Sequence, residues 1–162
     1  IEHKLSEKEF TTCGGYKSEA NKQKNNCEEC DFANISSHPE TCYYHQIQYK
    51  YWDILKQRIS KYNGNLLEIK GCPFKLGMNQ LWRNQMLAFA LENTGIYHTV
   101  TFSVCHHAKN TMLMHTINQY RTFINNEQLF TSFTNYDILN VVTESHISLN
   151  DWKKWYKDVY YF

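Results

Sequence analysis

Ile1-Glu2-His3-Lys4-Leu5-Ser6-Glu7-Lys8-Glu9-Phe10 opens the chain, and its first five residues read as a short strand that then turns polar. Side chains alternate along a strand, so Glu2 and Lys4 share one face. An acid beside an ammonium suits metal-assisted hydrolysis of a phosphodiester. The carboxylate helps hold a divalent cation, and the ammonium positions or helps deprotonate the attacking water and offsets charge on the transition state. Strand edges also carry Glu and Lys for solvation alone, so the pair gains weight only from what surrounds it. Ile1 stands where a strand is already under way, which reads as the trimmed end of a longer chain.

Outward from this strand, residues 12–42 are poor in aliphatics and rich in Lys, Asn, Glu and Ser. Such a segment cannot build its own core, so a Cys-rich insertion is expected here, either disordered or pinned by a metal. Cys27-Glu28-Glu29-Cys30, with Cys13, Cys42 and His45 nearby, has a spacing that permits a tetrahedral zinc. Free thiols in a flexible loop and an iron–sulfur cluster are the other readings. Cys72 is a substitute ligand, while Cys105 reads as a small buried residue.

The remaining elements follow from periodicity. Tyr51, Ile54, Leu55 and Ile59 predict a helix over Tyr43–Tyr62 that Asn63-Gly64 ends, and Leu66–Lys70 reads as a second short strand. Met78–Glu92 is the strongest helix, with Gln80, Arg83 and Asn84 presented to a site and an apolar second half, Leu87 to Leu91, built for the core. Val100, Phe102 and Val104 alternate with Thr and Ser in Tyr97–His107, a half-buried or central strand ending at His106-His107, which reads as a solvated strand end. Leu113, Ile117, Tyr120 and Ile124 give a helix and Leu129–Phe133 a short strand. Thr134 with Asp137, and Ser148 with Asp151, look like N-caps of two last helices. Their buried residues are expected to be Ile138, Leu139 and Val142, then Trp152, Trp155 and Val159; the latter stripe, with Tyr160, Tyr161 and Phe162, reads as packing. The order predicts one α/β domain over residues 1–162, a small mixed sheet flanked by helices.

Glu2-x-Lys4-Leu-Ser-Glu-x-Glu-Phe, the Cys-bearing stretch, Gly71-Cys72-Pro73-Phe74, Gln80-Leu-Trp-Arg83-Asn84-Gln85 and the polar turn from His106 to Asn110 together resemble the PD-(D/E)XK nuclease superfamily. This is the restriction-endonuclease-like fold, and the likeness is to a bacterial branch with a Gln/Arg/Asn-bearing helix. The resemblance spans roughly residues 1–145 and implies a Mg²⁺-dependent endo- or exodeoxyribonuclease. It makes Glu2 a metal ligand, Glu2, Lys4 and Gln80 the catalytic set, and Arg83 and Asn84 contacts to the nucleic acid. The family's metal-binding Asp lies upstream of E-x-K, so these 162 residues alone are expected to lack that ligand and to cleave poorly. A second register, Asp53 with Glu68-Ile69-Lys70 ahead of the same helix, stays open. So does another class of function, an inactive, Cys-metal-stabilised module that binds nucleic acid or protein.

Composition narrows the partners. The chain has 17 Lys and Arg against 16 Asp and Glu, which leaves no whole-molecule field for drawing in DNA, so any nucleic-acid site is local. Apolar residues make up 42% and mean hydropathy is −0.62, without a run long enough to span a membrane. No targeting segment is visible and the cysteine usage suits reduced thiols, so a cytoplasmic protein is expected.

Overall fold

A computed structural model describes residues 1–22, 24–144 and 149–160. Its centre is a three-stranded sheet, β1 (Glu2–Lys4), β2 (Phe102–His106) and β3 (Phe130–Thr134), in the order β1-β2-β3. Both pairings are parallel, with Glu2 opposite Val104, Lys4 opposite His106, and Phe102 opposite Phe130. The mixed sheet expected from the sequence is therefore a parallel one over the described residues. Parallel neighbours need long crossovers, and the chain supplies 97 intervening residues, 5–101, between β1 and β2.

That crossover carries α1 (Gly14–Lys17), α2 (Asn26–Glu29), α3 (Phe32–Ser37), α4 (Tyr43–Gln46), α5 (Tyr51–Arg58) and α6 (Met78–Asn93). Helix α7 (Met114–Arg121) joins β2 to β3, and α8 (Asn135–Glu144) and α9 (Asn150–Tyr160) follow. Met78, Leu81, Trp82, Gln85, Met86 and Phe89 form the buried face of α6. Trp82 lies flat on Phe74, centroids 4.9 Å apart and planes 3° from parallel. Around this pair a single core gathers Phe32, Trp52, Leu55, Phe102, Val104, Ile117, Tyr120 and Phe130.

Several expectations change. The helix over Tyr43–Tyr62 is broken into α4, α5 and a 3₁₀ turn at Ile59–Lys61, because Gln48 takes φ 65°, a left-handed conformation that no helix continues through. Leu66–Lys70 is not a strand: a 3₁₀ turn occupies Gly64–Leu66 and only Lys70 makes an isolated bridge, to Asp31. Leu87 and Leu91 are exposed instead of core, since they continue the Gln80–Asn84 stripe of α6, opposite its buried face. His106 is 6% exposed, not a solvated strand end, because β1 and β3 flank it on both sides. In α9 the inward stripe is Trp152, Tyr156 and Tyr160, rings 4.8 and 4.6 Å apart in succession, with Tyr156 buried and the other two half-buried, while Trp155 and Val159 are exposed. Tyr161, Phe162 and the cap at Ser148 lie outside the described residues.

Residues 12–42 are not a segment without a core. Phe32 and Ile35 enter the common core, and backbone bonds from Phe32 N–H to the Ile69 carbonyl (2.9 Å) and Ala33 N–H to the Leu67 carbonyl (3.3 Å) tie α3 to the loop ahead of α6. Two apolar anchors and a few main-chain bonds thus give the segment a share of the neighbouring core.

Candidate functional site

Glu2, Lys4, Gln80 and Asn84 meet at the outer edge of the sheet. Alternation in β1 puts Glu2 and Lys4 on one face and leaves His3 exposed on the other. Gln80 and Asn84 are one helical turn apart, so both project from the same side of α6. Gln80 Nε2 donates to Glu2 Oε1 at 2.6 Å and Asn84 Nδ2 to Glu2 Oε2 at 3.2 Å, so each carboxylate oxygen has its own amide. Thr11 fixes the Gln80 amide: its backbone N–H and its hydroxyl both donate to Gln80 Oε1 at 3.1 Å, which leaves the NH₂ end for Glu2.

Lys4 is 7% exposed, and lysine is almost never buried without a partner. Its Nζ lies 3.8 Å from Glu2 Oε1 and 3.5 Å from Glu7 Oε1, bridging the two carboxylates. Burial works to raise the Glu7 pKa, but backbone hydrogen bonds and the Lys4 charge outweigh it and hold that carboxyl below its usual value. Beside Glu2 an open groove runs between Asn84 and Leu87 on one side and Val100 and Phe102 on the other. The Glu2 side chain is 28% exposed.

Arg83 turns to the other flank of α6. Its Nε donates to the Tyr51 hydroxyl at 3.2 Å, and the guanidinium lies over the Tyr44 and Tyr51 rings at 5.9 and 5.8 Å. The second register is not assembled. Asp53 is exposed and pairs with Lys50 at 3.8 Å, and Glu68 and Lys70 lie on an exposed turn instead of a strand. Sequence reasoning passed over Thr11 and Glu7 as working residues. Glu7 was readable in principle, three residues beyond Lys4, whereas Thr11 reaches Gln80 across 69 positions and leaves no local signal.

A divalent cation takes hard oxygen ligands, and Mg²⁺ in phosphoryl sites is commonly held by one or two carboxylates, water and substrate phosphate oxygens. Glu2 fits that role in kind, with Glu7 a second carboxylate across Lys4. Among the described residues no three His, Cys, Asp or Glu side chains are drawn together around one point.

The cysteines divide differently from expectation. Cys13, Cys27, Cys42 and Cys72 line one small, partly open chamber beneath α6, and Cys30 does not. Helix α2 ends at Cys30, whose extended backbone (φ −76°, ψ 137°) takes it off the helical face of Cys27, and its thiol meets Asn26 Oδ1 at 3.6 Å. Burial pushes the Cys27 thiol up to about 11, with Cys42 and Cys13 adding to it. Burial likewise raises Cys42, and raises Cys72 well above its ordinary value. Cys105 is fully buried on β2.

A family model of the PD-(D/E)XK nuclease superfamily matches residues 73–160, more than half of the chain and including α6 with Gln80, Arg83 and Asn84. No curated protein and no solved structure matches the chain. The E-x-K strand precedes the matched span, yet it pairs in register with β2 inside it and its carboxylate is held by two side chains of α6. The chain belongs to the PD-(D/E)XK nuclease superfamily.

Proposed function

We propose that this protein is a divalent-metal-dependent nuclease that hydrolyses phosphodiester bonds in DNA, with Glu2, Lys4 and Gln80 as its catalytic set. Membership of the superfamily supports nuclease chemistry in general, and the observation that carries the site assignment is the buried Lys4 ammonium between two carboxylates. Glu2 would hold the cation. Bound there, the cation supplies Lewis-acid stabilisation and an activated water.

The chain's own residues do the rest. Gln80 and Asn84 donate to the two Glu2 oxygens and fix the carboxylate plane. Thr11 keeps Gln80 from flipping its amide. Lys4, its charge shielded from bulk water, stabilises negative charge that builds on the scissile phosphate, an effect magnified where water is excluded. The groove past Asn84 and Leu87 gives a strand of nucleic acid access to Glu2. No helix among the described residues is long and apolar enough to cross a membrane, and a cytoplasmic site of action remains part of the proposal.

The test is cleavage of single- and double-stranded DNA and of RNA by the natural-length protein with Mg²⁺, with and without chelator. Lys4→Ala is expected to lower the rate by about 10²–10³-fold, the usual cost of a transition-state charge partner, while DNA binding persists. Cleavage that survives Lys4→Ala unchanged sinks the site assignment. Binding with no cleavage under any divalent metal favours the inactive, Cys-metal-stabilised module instead.

A further inference from the structure

Four thiols from four separate stretches of sequence, Cys13, Cys27, Cys42 and Cys72, wall one small chamber. The chain goes to some length to bring them there. Cys72 N–H donates to the Cys27 carbonyl at 2.8 Å, and Cys13 N–H donates to the Lys75 carbonyl at 3.2 Å. Gly71, at φ +78°, allows the first of these approaches, because a Cβ there would stand 2.8 Å from the Cys27 carbonyl oxygen and 2.9 Å from that of Glu28. Cys42 enters from the N-cap of α4.

A second observation comes from the same wall. Asn79 Nδ2 and Trp82 Nε1 are buried N–H donors with no acceptor, on residues 1% exposed that both line this chamber, and the Trp52 indole N–H on the same wall is turned to the Cys42 sulfur. Buried donors are rarely left unpaired, and each needs an explanation. Thiolate sulfurs around a metal supply one, since they accept N–H hydrogen bonds that hold and tune such centres. Lys75, also on the wall with Nζ 3.3 Å from the Cys27 carbonyl, brings a positive charge where four thiolates leave a net negative one.

We propose that Cys13, Cys27, Cys42 and Cys72 together ligate one metal centre through four thiolates, a closed site that staples the segment before α6 to the core. Binding displaces the four thiol protons to solvent. Four sulfur ligands with no fifth position make the centre structural, and it is independent of whether the Glu2 site cleaves. The thiols stand around the chamber and are not drawn to one point, and its volume of about 20 Å³ has room for one ion and not for a polynuclear cluster, so they close on a single ion by changing side-chain rotamer. Zinc and a single iron share this ligand chemistry, and the measurement tells them apart.

The natural-length protein is purified anaerobically under reducing conditions and analysed for zinc, iron and acid-labile sulfide. About one zinc, or about one iron without acid-labile sulfide, is expected per chain. Cys30→Ser is expected to keep its metal in full and Cys72→Ser to lose most of it. Should Cys72→Ser fail to fold, alkylation of the native protein followed by mass mapping replaces it: Cys30 reacts and the four thiols react only after a chelator is added. Folded protein with less than about a tenth of an equivalent of either metal, full metal in Cys72→Ser, or four thiols that alkylate as fast as Cys30 overturns the proposal.

Discussion

Glu2 has two oxygens and each is claimed by a different amide of α6, so the two amides are not interchangeable in what their loss does. Gln80→Glu sets a second carboxylate where a donor now stands 2.6 Å from Glu2, and like charges at that distance push one of the pair to take up a proton. Cleavage is expected to fall by about 10²-fold or more, with a rate that recovers poorly even at saturating metal, read as kcat against metal concentration. Asn84→Ala removes one longer bond to a partly exposed oxygen and is expected to cost about tenfold, in line with about 1–1.5 kcal/mol for such a bond. An equal loss from both variants would mean that the amides do no more than pack. Gly71 offers a stability test at the same scale. Gly71→Ala must strain a left-handed backbone and press on two carbonyls, at about 1–3 kcal/mol, whereas Gly64→Ala meets nothing within 4 Å and is expected to be near neutral in thermal melts.

Among the elements, α8 begins as the sequence reads. Thr134 N–H and hydroxyl donate to Asp137 Oδ2 at 2.6 and 2.8 Å, and Asp137 N–H returns a bond to Thr134 Oγ1 at 3.3 Å. Thr134→Ala is expected to cost about 1 kcal/mol and to lower Tm by about 2–4 °C; an unchanged Tm would show that α8 is held by packing alone. The α6 helix was legible from end to end because its buried stripe and its Gln80–Asn84 stripe are both local patterns. Its exposed Leu87 and Leu91 were not, because periodicity gives a helix an apolar face and does not say whether anything covers it. The break between α4 and α5 has no local signal, since residues 47–50 carry no Gly or Pro and Gln48 is left-handed all the same.

In the molecule as a whole, two tyrosines 58 positions apart in the sequence meet inside the core. Tyr62 and Tyr120 hydroxyls lie 3.2 Å apart, fully enclosed, and burial raises both pKa values above the ordinary tyrosine range. The fold therefore favours their protonated forms. Stability is complete below the unfolded tyrosine value of about 10 and is lost as pH rises above it toward the folded values. Denaturant melts between pH 9 and about 12 are expected to show this fall, and the Tyr62→Phe, Tyr120→Phe double variant a flatter one. A double variant with an unchanged slope assigns the alkaline loss to other groups.

What the sequence determined by itself is whatever repeats at short range: the alternation that sets Glu2 and Lys4 on one face, the 3.6-residue stripe of α6, the strand character of β2, the Thr134 cap and the motif order that resembles the superfamily. These patterns are fixed by bond geometry within a few residues and do not wait for a partner. The tertiary structure alone decided the parallel pairing of the sheet, the reach of Thr11 and Asn84 to the Glu2 site, the burial of Lys4 and His106, and the exchange of Cys30 for Cys72 around the thiol chamber. Each of these depends on groups tens of residues apart being brought within a few ångströms by the packing of one common core, and no local spacing encodes that distance.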